Sequence, residues 1–473
     1  MRKKMAIGMV LTLIVVAFVG IPINVGAEEN EAVTPQLTRS PFNGPGCGMS
    51  LLTTLQSSSS NSLMEIVPSW VDIVDAEVVS NDGEGVYIAV IDTGLIEAWP
   101  YFFSEANIAW ELGKGFSYDI TWDPTIEDPV YGELLDQRVL GPLRDDRGFV
   151  TNEYGYGHGT FTTSLITGYR LGDFWVRGVA PKATIIPVLI YDTWLVDCPD
   201  PTYPGCYGGK IKHQGFTYES MAAGINYIAD LAEILDGKVI ISLSMGWFWP
   251  SEILEDAVNN AIDKGVIFIA CAGNEGYTGM RWPAAYPQVI SVGAAGWTEN
   301  WVPGFNPDYW LNDVPEKLNT KDVWGNNWQI YLTEYSSRPN KDLGQKPNDL
   351  DLTTIASWVF TPWQMDVYWD GIEWITSEPT YGFGGGTSAA TPIVASIAAL
   401  VLQDHPELNQ PEMEKILKNA ARGLPLACNG AWLFEFHWFE GAFRYGYFEW
   451  QGTDYGAGFL QADAALKAAK THA

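Results

Sequence analysis

Apolar positions along the chain fall into two alternating textures. Short continuous runs, GVYIAVID (85–92), ATIIPVLI (183–190), KVIISLS (238–244), GVIFIACAG (265–273) and QVISVGA (288–294), predict strands buried on both faces. Between them lie stretches with the three-to-four-residue apolar spacing of helices, at about 158–168, 218–235, 251–264, 388–403 and 411–421. Pro411 falls in the first turn of the last one, where helices tolerate it. Strand–helix alternation of this kind predicts an α/β fold with a mostly parallel central sheet covered by helices. Such sheets collect their chemistry at the carboxyl ends of the strands. No internal repeat stands out.

The N-terminus breaks the pattern. Arg2, Lys3 and Lys4 precede an apolar run over residues 5–23, which ends in Val25, Gly26 and Ala27 before Glu28. A basic start, an apolar middle and small residues predict a secretory signal peptide, residues 1–27, cleaved after Ala27. The run is nearly long enough for a retained anchor, but Pro22 and the small residues favour cleavage. No later segment is expected to span a membrane. Residues 28–61, with Pro, Gly and a serine tract at 57–60, read as a linker or short pro-segment. The main domain is expected over 62–473.

Composition narrows the function classes. The chain has 473 residues, 47% of them hydrophobic and 13% aromatic, enough for a large core and against global disorder. Fifty-seven Asp and Glu against 27 Lys and Arg give a net charge of −30. That excess excludes the basic footprint of a nucleic-acid binder and offers no polybasic membrane stretch beyond the N-terminus. Removing residues 1–27 makes the chain three units more negative. Export makes disulfides feasible among Cys47, Cys198, Cys206, Cys271 and Cys428. Cys198 and Cys206 flank a short loop and could close it; Cys271 lies in an apolar run and reads as a buried thiol. No CxxC or HExxH motif supports a zinc site.

Four segments carry residue types suited to acyl transfer. Ala89-Val90-Ile91-Asp92-Thr93-Gly94 ends a buried strand in an acid and a turn. Gly155-Tyr156-Gly157-His158-Gly159-Thr160 opens a helix with the one histidine of five that stands in a glycine-rich loop. Gly384-Gly385-Gly386-Thr387-Ser388 leads a serine into a helix, whose positive end stabilises developing negative charge. Ala272-Gly273-Asn274-Glu275-Gly276 puts an amide donor after a strand. Each alone also reads as a plain turn or helix cap. Together they run Asp…His…Asn…Ser, one of the known orders for serine-nucleophile catalysis.

With these residues in order, the sequence resembles the subtilisin-like serine peptidases, the subtilases. Further landmarks follow in sequence: VAPKATIIPV, ISLSMG, WPAAYPQVISVGA, Tyr335-Ser336-Ser337 and YGAGFLQADAAL (455–466). The resemblance covers about 62–473. It implies a subtilisin-like three-layer α/β sandwich and an exported, secreted serine endopeptidase acting on protein or peptide. Ser388 would attack, His158 would move the proton, and Asp92 would orient His158. Asn274 would form the oxyanion hole with the Ser388 N–H. Ser244, Met245 and Gly246 would pair with substrate backbone. Ala272 and Gly273 would line the pocket for the side chain before the cut, with Glu275 near its rim. No cofactor is implied for catalysis, a monomer is expected, and neither nucleic acid nor, after leader cleavage, a membrane is a partner. The intact set of four argues against a catalytically inactive subtilase used as a binding module. A related acyl transfer or ester hydrolysis on the same triad is the other alternative.

The chain also departs from the family pattern. TSAATPIVAS puts Ile393 and Ser396 where His and Gly are common, and Ile355-Ala356-Ser357 replaces APG. His158 and Asn274 exclude the related acid-active sedolisins, which use Glu and Asp there. Only about 35 residues separate Ala27 from Ser62, too few for a folded propeptide of ordinary size. Insertions are expected near 98–152, 192–215, 297–333, 358–380 and 430–452. Nine of the 21 tryptophans, Trp297, Trp301, Trp310, Trp324, Trp328, Trp358, Trp363, Trp369 and Trp374, lie in or beside two of them. They are expected to pack locally, with an aromatic rim around the cleft as the functional alternative. The family's calcium loop falls at Gly168-Tyr169-Arg170-Leu171-Gly172-Asp173 and lacks the Asn-rich pattern. Carboxylates in 119–153 could supply oxygen ligands for a structural calcium, but they read first as a solvated acidic loop.

Overall fold

In the computed structural model, residues 63–123, 128–136, 157–197, 206–297, 330–357, 359–364, 368–369, 372, 374–375, 379–424, 431–437, 442–448 and 450–471 are described. The expected leader and linker, residues 1–61, and Cys47, Cys198 and Cys428 lie outside them. All five expected strands form, as Val86–Asp92, Thr184–Leu189, Lys238–Leu243, Ile267–Cys271 and Ile290–Trp297. The expected helices form as His158–Thr167, Tyr218–Ala232, Glu252–Asp263, Thr387–Asp404 and Gln410–Ala420.

These strands build one sheet. Val86–Asp92 sits inside it, parallel to Lys238–Leu243 on one side and Thr184–Leu189 on the other. Ile267–Cys271, Ile290–Trp297 and Leu352–Ile355 continue the parallel order. Leu352–Ile355 escaped the apolar pattern because two of its four residues are threonines. Both hydroxyls are buried and donate to backbone carbonyls, Thr353 to Tyr455 and Thr354 to Leu460. At the other edge, Lys114–Asp123 adds in parallel and folds back as a hairpin with Asp128–Asp136.

Strand side chains alternate between two cores, as the period of two requires. Ile88 and Val90 face one core, with Phe161, Leu165 and the helix Thr387–Asp404. Ala89 and Ile91 face the other, with Met221, Ile225, Leu254 and Val258 of two further helices. The result is a three-layer α/β/α sandwich. One described helix, Thr387–Asp404, is long and apolar enough to cross a membrane, contrary to the expectation for segments after the leader. Its apolar window is 89% buried inside the fold, so its composition reflects a core position.

The stretches expected as insertions near 192–215, 358–380 and 430–452 also carry hairpins. Asp192–Asp197 pairs with Lys210–Gly215, Val359–Trp363 with Thr380–Gly384, and Ala431–His437 with Ala442–Phe448. Most of 297–333 lies outside the described residues. Of the nine tryptophans singled out, only Trp363 has a described side chain, and it is buried in the main core.

The first and last helices close the fold together. Gln461 Nε2 donates to the Ile73 carbonyl at 3.0 Å and to Asp75 Oδ2 at 2.6 Å, and Ala462 N–H donates to Val74 O at 2.7 Å. This junction gathers carboxylates. Burial pushes the Asp75 carboxyl up to about 7, and Asp463 and Asp72 push the same way against Arg422 and Lys467. Burial likewise pushes Glu77 up to about 8, with Asp72 and Asp75 adding to it and Arg177 opposing it. Carboxyls that hold their protons only when folded stabilise the fold below the unfolded carboxylate range, about 4. That contribution is lost as pH rises through the folded values. The melting temperature should therefore fall between about pH 4 and pH 8 through these groups. The pair Asp75→Asn and Glu77→Gln should flatten that slope in a thermal-shift series; an unchanged slope would mean that neither group titrates late.

Candidate active site

Asp92 ends the interior strand Val86–Asp92 and is completely buried. Its carboxylate is held by donors on two elements. Thr93 N–H reaches Oδ1 at 2.7 Å. His158 Nδ1 lies 2.8 Å from Oδ1 and 2.9 Å from Oδ2. Thr162, one turn further along the helix, shares its hydroxyl hydrogen between Gly159 O at 3.1 Å and Oδ2 at 3.4 Å. The helix is set against the strand end by a close backbone approach. Gly159 N–H donates to Thr93 Oγ1 at 2.8 Å, and a Cβ on Gly159 would run into the Gly94 carbonyl. Ile96 N–H, bonded to Thr160 Oγ1 at 2.9 Å, completes the seam. The His158 ring is also fully buried, tilted against Phe161.

Ser388 is the second residue of the helix Thr387–Asp404. Pro392 lies inside that helix, four residues on, and has no N–H for the Ser388 carbonyl. The Ser244 hydroxyl takes that role, donating to Ser388 O at 2.9 Å, while Ser388 Oγ donates to Ser244 O at 3.2 Å. Ser244 directly follows Leu243, which is in register with Ile91. The serine thus meets the same sheet edge one strand from Asp92, and its helix packs against that of His158.

Asn274 follows the next strand, Ile267–Cys271. Its Oδ1 accepts from Thr387 N–H at 2.9 Å and from Thr387 Oγ1 at 3.0 Å. A backbone N–H needs an acceptor, so the amide has one orientation, with Nδ2 toward Gly386 and the start of the serine helix. Gly386 has φ +93°, and a Cβ there would lie 3.1 Å from Asn274 Nδ2, so this position requires glycine on both counts.

The other residues proposed from sequence surround this edge. Met245 is buried, and Gly246 precedes a two-way backbone bridge between Trp247 and Trp282. Ala272 O accepts from Arg281 N–H at 2.8 Å, and Gly273 N–H donates to Thr387 Oγ1 at 3.1 Å. Glu275, read from sequence as a rim charge, turns inward instead. Its carboxylate accepts from Asn274 N–H at 2.9 Å and Arg281 Nε at 2.7 Å, and Oε1 lies 2.5 Å from Arg281 Nη2. Ser337 joins it, donating to Oε2 at 3.2 Å and accepting Glu275 N–H at 3.0 Å. Four further residues support the edge without having been expected as site residues: Thr387, Arg281, Tyr335 and Arg338. Tyr335 OH accepts Gly386 N–H at 3.2 Å. Buried Arg338 ties its own loop by donating to the carbonyls of Thr333, Glu334 and Ser336. The Thr beside Ser388 was the available signal, since its neighbours in sequence are all glycine, serine or alanine.

Burial pushes the Cys271 thiol up to about 12, which leaves it protonated at neutral pH. A cavity of about 400 Å³ between Asp236, Lys238 and Lys264 opens at the amino ends of the strands, away from Asp92. Among the described residues no group of three or more His, Cys, Asp or Glu is arranged to hold a metal. The stretch 168–173 is a strand hairpin offering one exposed carboxylate, Asp173, and does not fit a calcium site. The assembled set, a buried carboxylate–imidazole couple, a hydroxyl at a helix start and an oriented amide donor, is suited to nucleophilic acyl transfer. Thr387→Val should cost about 1–3 kcal/mol in denaturant unfolding, because the buried Gly273 N–H loses its acceptor and Asn274 a donor. Thr387→Ser should restore most of it; equal stability of all three proteins would refute the role.

The chain is similar to several known proteins. Fervidolysin of Fervidobacterium pennivorans is 26% identical over 320 residues, 66% of this chain and 38% of that protein. M-protease of Shouchella clausii (strain KSM-K16) is 25% identical over 369 residues, 77% of this chain and 67% of that protein. The chain thus spans well under half of fervidolysin. Among solved structures, sphericase superposes with a TM-score of 0.49 at 19% identity, covering 86% of this chain and 99% of that one. The family model described as the subtilase family matches residues 83–438, three quarters of the sequence, and the chain belongs to that family.

Proposed function

We propose that the protein is an exported serine endopeptidase that cleaves peptide bonds through an acyl-enzyme. The observation that carries this reading is the convergence of the Asp92–His158 couple, Asn274 and Ser388 on one sheet edge. In the reaction, Ser388 Oγ turns from the Ser244 carbonyl toward His158 Nε2 and attacks the scissile carbonyl. His158 takes the proton and gives it to the leaving amine; Asp92, already bonded to Nδ1, holds the ring and stabilises its charged form. Asn274 Nδ2 and the Ser388 N–H receive the oxyanion. Water then releases the acyl group by the same steps in reverse order.

Substrate backbone would lie along Ser244, Met245 and Gly246. Ala272 and Gly273 would border the pocket for the side chain before the cut, and Glu275 would act by bracing that loop. The reading needs no cofactor, and takes the protein as a secreted monomer after leader cleavage. A Cys198–Cys206 bridge and calcium held by carboxylates of 119–153 belong to the same proposal. The acidic surface favours solubility outside the cell.

Ser388→Ala should abolish casein hydrolysis while leaving circular dichroism unchanged, and a fluorophosphonate probe should label Ser388 in the parent. Labelling at another residue, or undiminished hydrolysis by the variant, refutes the assignment. Asn274→Ala should lower kcat about 10²–10³-fold, a magnitude taken from subtilisin itself, with a smaller change in KM. A rise in KM at constant kcat would remove Asn274 from the oxyanion site.

A further inference from the structure

We propose that the 359–384 hairpin, carried by one of the insertions, is a clamp on the His158 helix, and that Trp363 is the positioning residue for the His158 ring. The inference rests on the proposed role of His158 as the proton carrier.

The hairpin grips the helix at both ends. At the front, Gly157 N–H donates to Gln364 O at 3.0 Å, and a Cβ on Gly157 would lie 2.6 Å from Gln364 N. Just beyond the other end, Tyr169 OH donates to the Phe360 carbonyl, and Tyr381 OH donates to Arg170 O at 2.8 Å. Between these anchors Trp363, 3% exposed, stands edge-to-face with His158 at 6.5 Å and 76°. It also meets Phe161 at 5.6 Å and 69°, and Phe161 itself tilts against His158 at 5.7 Å.

This geometry supplies what the Asp92 bonds do not. Bonds at Nδ1 fix one corner of the imidazole and leave the ring a swing about its side-chain torsions. Aromatic walls at Phe161 and Trp363 close that swing and keep water from the couple. The hairpin also links base and nucleophile. Trp363 is in register with Thr380 and Val359 with Gly384, and Gly384 runs through two glycines and Thr387 into Ser388. One strand therefore braces His158 while the other delivers the serine.

The test uses the full chain, with steady-state kinetics on a chromogenic peptide and the rate of Ser388 labelling by a fluorophosphonate. Trp363→Leu, which keeps the position apolar but removes the aromatic ring, should lower kcat about 10- to 100-fold with KM within about twofold, and should slow labelling in parallel. Trp363→Phe, which keeps an aromatic edge, should recover kcat to within about threefold. A role in folding alone would lower the melting temperature without this split or the Phe recovery. Unchanged kcat in the Leu variant, or a loss seen only in KM, overturns the inference while parental activity upholds the endopeptidase reading. If the parent neither cleaves peptide nor labels at Ser388, both fall.

Discussion

Asp92 carries its carboxylate into a place with no exposed surface, and an ionised group there is tolerable only with donors around it. Its own loop supplies one through Thr93; the helix His158–Thr167 supplies the rest, through His158 and Thr162. Both helix residues can reach only if the helix start lies across the strand end. That contact in turn demands glycine at 159 against the Gly94 carbonyl. A single buried charge thus dictates a glycine, a threonine and the docking of a helix. The same bonds place an imidazole beside the sheet edge with one nitrogen already engaged.

A second constraint comes from Pro392. A proline inside a buried helix would strand the carbonyl four residues back, and that carbonyl belongs to Ser388. Ser244 satisfies it from the neighbouring strand end, so the defect becomes a tether between the Ser388 helix and the sheet. Asn274 and Thr387 make the next tether, and Glu275 with Arg281 and Ser337 braces the loop that carries Asn274. The edge is rigid because each loop borrows a bond from its neighbour.

The insertions belong partly to this framework. Local packing was the expected role for their tryptophans, yet Trp363 joins the main core and lies against His158. Nothing in the residues around 358–364 distinguishes it from Trp358, because a long-range ring contact leaves no local spacing. Glu275 shows the same limit: the turn after Asn274 places it near the pocket rim, but its pairing with Arg281 appears only in the fold.

By itself the sequence determined the buried strands, the helices, their alternation and the candidate residues Asp92, His158, Asn274 and Ser388. Those signals are local, carried by apolar period, by glycine and by short motifs, so a linear reading recovers them. Only the tertiary structure decided how the four are oriented. Thr387 turning the Asn274 amide, Ser244 answering Pro392, Arg281 drawing Glu275 inward and the hairpin bracing His158 all join residues distant along the chain or turn on side-chain direction. Hydrogen-bond direction and ring contact depend on coordinates, and they appear once the sheet has brought its strand ends together.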